Sequence, residues 1–332
     1  RVLVTGINAD DQNILGDWSA AQRPENVTTV LEGLKMVSPG TEFVFVDQDW
    51  DPRNMSRAQV DKAASTASDC DLSIVVAGEY MFRDRWTERT CGEDTDRSDI
   101  SLVGLQDELI RKIYAAGKPV VLVLVAGRPL GVEWAAGNLD AVVNAWEPGM
   151  YGGQAIAEIL YGKVNPSAKL PVTMPRSAGQ IQMIYNHKPS QYFHPYAVTP
   201  STPLYPFGYG LSYTEYGYSD FRLDKTEISA GEDVKAYVTV TNKGGMAGDE
   251  IVQLYIRDSF SQVTRPVKEL KDFARVHLEP GESREVEFTI TPDKLMFLDK
   301  KMRPIVEPGE FIVMVGPSSD DRDLMRLGFN VR

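Results

Sequence analysis

Short apolar runs alternate with longer amphipathic stretches through the first half of the chain. A run such as 119–126 contains no polar side chain and has the length of a strand, too short to span a membrane. Strands that are apolar throughout are typical of a parallel sheet covered by helices on both faces. The candidate strands are 2–5, 43–47, 72–77, 119–126 and 141–145, and the candidate helices are 28–36, 57–67, 104–116 and 152–161. The pattern predicts an α/β fold with a mostly parallel sheet over residues 1–185.

The period of the apolar pattern changes from about residue 216. Val234, Ala236, Val238 and Val240 alternate with polar or amphipathic side chains, as in a strand with one buried face. Turn sequences rich in Gly, Pro and Asn separate this run from similar ones further along. About seven short strands at this spacing indicate a β-sandwich of the immunoglobulin or fibronectin type III kind over 216–332. Residues 186–215, rich in Pro and Tyr, are interpreted as an ordered connector.

Length and charge limit the class of protein. At 332 residues the chain exceeds what one hydrophobic core usually holds, and this favours two domains. The formal net charge of −12 argues against a nucleic-acid partner, which needs a basic surface. No apolar run suggests a membrane partner. The chain opens directly on a strand without a signal peptide, as a mature or truncated product would, so the compartment is not readable from this end.

A loop crowded with charged and aromatic residues follows the third predicted strand and extends from Glu79 to about residue 101. In an open α/β sheet, ligands bind at the loops that leave the carboxyl ends of the strands. We expect chemistry at this loop and take Glu93 as the candidate general acid. The loop holds rival carboxylates, and spacing alone does not select among them: Asp84, Glu88, Asp94 and Asp96.

Three neighbouring side chains suit a carbohydrate ligand. Trp86 offers a rigid apolar face on which a sugar ring can stack, and Arg83 and Arg85 can bond its hydroxyl groups. A carboxyl group beside an apolar ring keeps its proton more readily and can act as a general acid. We expect Trp86, Arg83 and Arg85 to bind substrate.

The sequence predicts neither a metal site nor a cofactor. Cys70 and Cys91 have no second Cys or His at a metal-binding spacing, and two free thiols are favoured over a disulfide between them. The turn after the first strand, Gly6 to Ala9, lacks the glycine pattern of a dinucleotide site and the lysine of a P-loop.

Several motifs resemble those of glycoside hydrolase family 3, of the bacterial β-glucosidase type. They are GDWS at 16–19, EDTDRSD at 93–99, GKVNPSAKLP at 162–171, YPFGYGLSYT at 205–214 and RPVKELK at 265–271. The family's architecture implies a (β/α)-barrel, an α/β sandwich domain and a fibronectin type III-like domain. This chain resembles the second and third parts. The barrel, with the family's nucleophilic aspartate, is absent from it.

The resemblance also implies residue roles. Glu93 matches the family's acid/base glutamate, and Arg97 matches an arginine that holds the loop by pairing with a carboxylate. The segment from Glu79 to Glu93 is longer than in close relatives, so Glu88 stays open as the alternative acid. The implied reaction is retaining, exo-acting hydrolysis of terminal β-D-glucosides or related β-glycosides.

Such a reaction needs a barrel bearing the nucleophile as partner, on the same polypeptide or on another, and the chain alone is expected to be inactive. The alternative is a non-catalytic carbohydrate-binding or interaction module derived from such an enzyme. A homodimer is also left open. The resemblance favours a periplasmic or secreted location.

Overall fold

The computed structural model describes residues 1–180, 182–190 and 196–332, without the side chains of 83–85. Arg83 and Arg85, predicted to bind substrate, and the rival carboxylate Asp84 therefore have side chains outside the described part. The chain forms two compact units. The α/β unit is Arg1–Val164 with Pro175–Ile181, and the sandwich unit is Asn165–Met174 with Gln182–Arg332.

A five-stranded parallel sheet forms the centre of the α/β unit. Its strands are β1 Val2–Thr5, β2 Phe43–Val46, β3 Leu72–Gly78, β4 Val120–Val125 and β5 Ala141–Trp146. The strand order is β2-β1-β3-β4-β5, and every pairing is parallel. The central strands β3 and β4 are almost wholly buried, which explains why their sequences contain so few polar residues. The predicted parallel α/β sheet is confirmed.

Helices flank this sheet. They are α1 Val30–Val37, α2 Arg57–Ser68, α3 Gln106–Tyr114, α4 Glu133–Asn138 and α5 Gly152–Leu160. Reciprocal hydrogen bonds between the N-cap residue and the third helical residue begin two of them, with Thr29 and Glu32 starting α1 and Ser56 and Gln59 starting α2. The short helix α4 was not predicted, because six residues are too few to show a helical period.

Antiparallel strands form the sandwich unit. They are β6 Tyr216–Leu223, β7 Glu227–Ile228, β8 Val234–Asn242, β9 Gly248–Asp258, β10 Glu269–Leu278, β11 Ser283–Ile290, β12 Phe297–Leu298, β13 Pro304–Ile305, β14 Gly309–Gly316 and β15 Met325–Val331, with the short helix α6 Pro292–Leu295. The larger sheets have the orders β10-β9-β14-β15-β7 and β11-β8-β6. Among the strand pairs of these two sheets in the described residues, only β15 and β7 run parallel. The predicted sandwich is confirmed.

Alternation of side chains explains the core of the sandwich. Val234, Ala236, Val238 and Val240 of β8 are all fully buried, while the residues between them are half-exposed. The segment before Met174 belongs to the same unit because Leu170 exchanges main-chain hydrogen bonds of 2.8 Å with Gly208 and Tyr209. None of the helices in the described part of the chain is long and apolar enough to cross a bilayer.

Candidate active site

Polar residues gather where the parallel strands of the α/β unit end. Asp17 lies beyond β1, Glu79 begins the loop after β3, Arg128 follows β4, and Glu147 follows β5. All these strands run in one direction, so their carboxyl ends lie at one edge of the sheet. The predicted loop leaves the sheet at this edge.

Buried contacts close the base of the loop. Tyr80 and Thr90 are joined twice, by a 2.8 Å bond between Thr90 N–H and the Tyr80 carbonyl and by a 2.9 Å bond between Tyr80 N–H and the Thr90 hydroxyl. The Asn13 amide donates to the Glu79 carbonyl at 2.6 Å and accepts from Met81 N–H at 2.7 Å. Residues 80–82 are buried and fix the start of the loop. The many charged residues around them gave no sign of this burial in the sequence.

Glu79 is the buried centre of a charge cluster. Its carboxylate, with no exposed surface, accepts from Arg97 Nη1 at 2.8 Å and from Arg128 Nε at 3.1 Å. Arg97 also donates to the Ser101 carbonyl at 2.6 Å, and Arg128 donates to the Thr95 carbonyl at 2.7 Å. One carboxylate thereby ties together the start and end of the loop and the segment after β4.

A second buried pair holds the backbone of Glu93. Arg89 Nη1 lies 2.6 Å from Asp17 Oδ1, and the two side chains are only 1% and 8% exposed. The Glu93 N–H donates to Asp17 Oδ2 at 3.0 Å, and the Glu93 carbonyl accepts from Arg89 Nη2 at 2.8 Å. The side chain of Glu93 is exposed, although both of its main-chain polar groups bind buried charges.

The rival carboxylates have different surroundings. Asp94 and Asp96 are exposed. Glu88 is half-buried at the end of the 3-10 helix Arg83–Glu88, where its carboxylate accepts from the Thr87 hydroxyl at 2.7 Å. Its carbonyl accepts from Arg53 at 2.5 Å. Glu88 and Glu93 are therefore both on the loop, but only Glu93 combines an exposed carboxyl group with the buried pair of Asp17 and Arg89.

Two exposed tryptophans lie beside these residues in sequence. Trp86 is 44% exposed, and the Arg89 guanidinium lies 3.7 Å from the centre of its ring, so one face is already covered by a cation. Trp18 directly follows Asp17 and is 75% exposed. The sequence argument selected Trp86 and passed over Trp18 as a ligand-binding residue.

The two cysteine thiols lie in surroundings that disfavour nucleophilic chemistry at neutral pH. Cys70 and Cys91 are both free and buried. Burial, together with the charge of Glu79, raises the pKa of Cys91 to about 11, so this side chain stays a thiol and a poor nucleophile. Within the described residues, no group of three or more His, Cys, Asp or Glu side chains is arranged to hold a metal ion.

The sequence analysis did not predict a role in the site for Asp17, Arg89 or Arg128. It placed Glu79 at the start of the loop but did not predict its burial. Asp17 and Arg89 are 72 positions apart, and Glu79 and Arg128 are 49 apart. A charged residue in a loop is usually solvated, so nothing local marks Asp17, Glu79 and Arg89 as buried or Arg128 as the partner of a buried carboxylate. The motif GDWS at 16–19 contains Asp17, but the partner of that carboxylate is visible only in the fold.

Comparison with known families agrees with this architecture. A sequence model of the glycosyl hydrolase family 3 C-terminal domain matches residues 1–213, and one of a fibronectin type III-like domain matches residues 250–319. The chain belongs to glycoside hydrolase family 3. The resemblance noted in the sequence is thereby confirmed.

Family 3 relatives and solved structures match the chain from end to end. A β-xylosidase of Formosa agariphila is 36% identical over 99% of this chain and 46% of its own length. A periplasmic β-glucosidase of Salmonella typhimurium is 36% identical over 96% of this chain and 45% of its own length. A β-glucosidase structure from Erythrobacter marinus, 36% identical, covers the whole chain with a TM-score of 0.90. The chain spans slightly under half the length of these relatives.

Proposed function

We propose that this chain is part of a retaining, exo-acting β-glycosidase in which Glu93 is the general acid/base. The substrate class is terminal β-D-glucosides or closely related β-glycosides such as xylosides, in line with the names of its relatives. The observation that carries the proposal is the exposed carboxyl group of Glu93 on a loop fixed by the buried Glu79 cluster at the carboxyl edge of the sheet.

A second carboxylate is required by the chemistry. In retaining hydrolysis one carboxylate attacks the anomeric carbon, while the other protonates the leaving oxygen and later deprotonates the incoming water. The two groups lie on opposite sides of the bond, roughly 5–5.5 Å apart, so one residue cannot serve both roles. The nucleophile belongs to the barrel that the family resemblance implies, on the same polypeptide or on a second chain. The chain alone is therefore expected to be inactive.

This chain's own residues would supply proton transfer and part of the sugar contact. Glu93 gives its proton to the departing oxygen and regains one from water in the second step. Arg97 and Arg128, through Glu79, keep the loop in place. Trp86, which stacks on Arg89, and Trp18, which follows Asp17, provide exposed aromatic surface, and Arg83 and Arg85 are the predicted hydrogen-bond donors. A periplasmic or extracellular location is supported by the name of the Salmonella relative.

Substitution of Glu93 in the complete enzyme, with the barrel present, tests the proposal. We expect Glu93→Gln to lower kcat/KM for a substrate with a poor leaving group by about 10²–10⁴-fold, because general acid catalysis is lost. Glu88→Gln is the matched control on the same loop and should change kcat/KM less than about threefold. The reverse ranking of the two variants would assign the acid to Glu88 and refute the proposal.

A further inference from the structure

The backbone of Glu93 is held in a closed ring of charged hydrogen bonds. Arg89 donates to Asp17 at 2.6 Å and to the Glu93 carbonyl at 2.8 Å, while Asp17 accepts from the Glu93 N–H at 3.0 Å. Both peptide groups that flank the Glu93 α-carbon are thus bound. Hydrogen bonds with an ionised partner are stronger and more directional than neutral ones.

The surroundings make this ring rigid. Asp17 and Arg89 are almost wholly buried, so water does not compete for their bonds to the peptide. The Arg89 guanidinium is also stacked 3.7 Å from the Trp86 ring centre. A planar guanidinium fixed in this way keeps its orientation, whereas a lysine in its place would offer only a point charge.

The backbone on both sides of Glu93 is in an unusual conformation. Gly92 has φ +106° and Asp94 has φ +57°, in the left-handed region that residues other than glycine seldom adopt. A β-carbon on Gly92 would lie 2.7 Å from both Arg89 Nη1 and Asp17 Cγ, so a larger residue does not fit. Such a backbone persists only where the surrounding contacts over-determine it.

We propose that Asp17 and Arg89 are positioning residues that fix the peptide of Glu93 so that its carboxyl group meets the leaving-group oxygen. The inference rests on the proposed acid/base role of Glu93. Neither residue touches substrate in this account, and both act through the Glu93 main chain. Misplacement of a reacting group by about 1 Å can cost roughly 10²-fold in rate, so loosening this ring should weaken proton donation.

The dependence of rate on the leaving group distinguishes positioning from general structural support. A dinitrophenolate departs without a proton, whereas the alkoxide released from a methyl glycoside or a disaccharide needs one. We expect Asp17→Asn, measured in the complete enzyme, to lower kcat/KM about 10–100-fold for the poor leaving group and less than about threefold for the dinitrophenyl substrate. Both substrates are measured on one sample, so the ratio of the two values does not depend on the folded fraction.

Arg89→Lys gives a second, independent variant. It keeps the positive charge but cannot donate in parallel to Asp17 and to the Glu93 carbonyl, so we expect the same selective loss with smaller amplitude. Asp299→Asn is the matched control, because Asp299 is also a buried aspartate paired with an arginine, Arg303, at 2.6 Å, but it lies in the sandwich unit. It should leave the ratio unchanged.

The outcomes separate this inference from the function on which it rests. Selective loss in both Glu93→Gln and Asp17→Asn supports the positioning role. Selective loss in Glu93→Gln with an equal loss on both substrates in Asp17→Asn overturns the positioning role and leaves the function standing. Absence of selectivity in Glu93→Gln itself refutes the acid/base assignment, and the positioning role falls with it.

Discussion

The loop after β3 and the strand pair β8–β11 use charge in opposite ways. In the loop, the fully buried Glu79 pairs with the partly buried Arg97 and Arg128, and the buried Arg89 pairs with the buried Asp17. Between β8 and β11, Lys235 and Glu287 pair at 2.6 Å on the outer face, both more than two-fifths exposed, while valines fill the inner face. The strands are held together by apolar burial, whereas the loop depends on its buried ions.

The difference indicates what each region is for. Burying ions costs desolvation energy, and apolar replacements of similar shape are often at least as stable. Buried ions beneath an exposed carboxyl group are therefore better explained by the geometry that they impose on the loop than by stability alone. The strand pair needs no such geometry, so other polar residues could replace its surface ions without loss of stability. Three substitutions test this contrast, and they are ordered by the size of the expected effect. A fourth, Glu147→Gln, tests the pH dependence of a residue at the same edge of the sheet.

Glu79→Gln should have the largest effect. Two guanidinium groups would be left around a neutral amide, and breaking a buried pair costs about 3–5 kcal/mol in free energy of unfolding. Urea denaturation of the chain measures this. Glu133→Gln is a control in the same unit, since Glu133 pairs with Arg176 but is 42% exposed. A loss below about 1 kcal/mol for Glu79→Gln, typical of surface pairs, would show that the cluster is not a structural anchor.

Leu254→Ala should come next, with a loss of about 3 kcal/mol from the sandwich core. Leu254 is fully buried, and removing its side chain leaves a cavity between the sheets. In the complete enzyme the ratio of rates on good and poor leaving groups should stay unchanged, because the loop is untouched. Leu327→Ala, at an exposed position of the same unit, is the control for denaturation. A changed ratio in Leu254→Ala would contradict the separation of scaffold from loop.

Lys235→Ala should produce no measurable shift of the denaturation midpoint. Exposed ion pairs gain little, because water screens the charges and the long side chain loses freedom. The expected result is a curve that overlays that of the unchanged chain in low and high salt. A clear, salt-sensitive loss would show that the two regions use charge alike.

Glu147→Gln should change how the melting temperature of the chain depends on pH, and the direction of that change is the test. Partial desolvation, and then the nearby charge of Asp17, raise the pKa of Glu147, although part of its surface is exposed. The folded chain therefore holds this proton more tightly than the unfolded chain, where Glu titrates near 4.3. Stability from this residue is present below that pH and is lost as pH rises through the folded pKa. The variant should gain melting temperature relative to the unchanged chain on going from about pH 4 to pH 7, and a constant difference would contradict the assignment.

Most strands of the fold could be predicted from the periodicity of apolar residues in the sequence. Almost wholly apolar runs marked β3 and β4, and strict alternation marked β8, because burial on two faces or on one leaves a direct trace in the residues. About seven strands were expected in the sandwich. The structure has seven of at least seven residues and three of two residues, too short to leave a pattern: β7, β12 and β13.

The site was only partly predictable. The loop was expected from the order of strand and charge, and the motif resemblance gave Glu93 its predicted acid/base role. The contacts of Glu79 and Asp17 join segments that are dozens of residues apart, and a polar residue carries no local mark of such a partner. The main-chain bonds of Glu93 depend on the left-handed backbone at Gly92 and Asp94, which is set by the folded surroundings.

Nucleophile rescue of Glu93→Ala in the complete enzyme tests the central claim most directly. With a dinitrophenyl β-glucoside the leaving group departs without an acid, and the glycosyl-enzyme then accumulates because no base activates water. Azide, an anion that needs no deprotonation, should attack the anomeric carbon, release the barrel carboxylate, restore turnover and yield a β-glycosyl azide. Rescue in Glu88→Ala and none in Glu93→Ala would contradict the account.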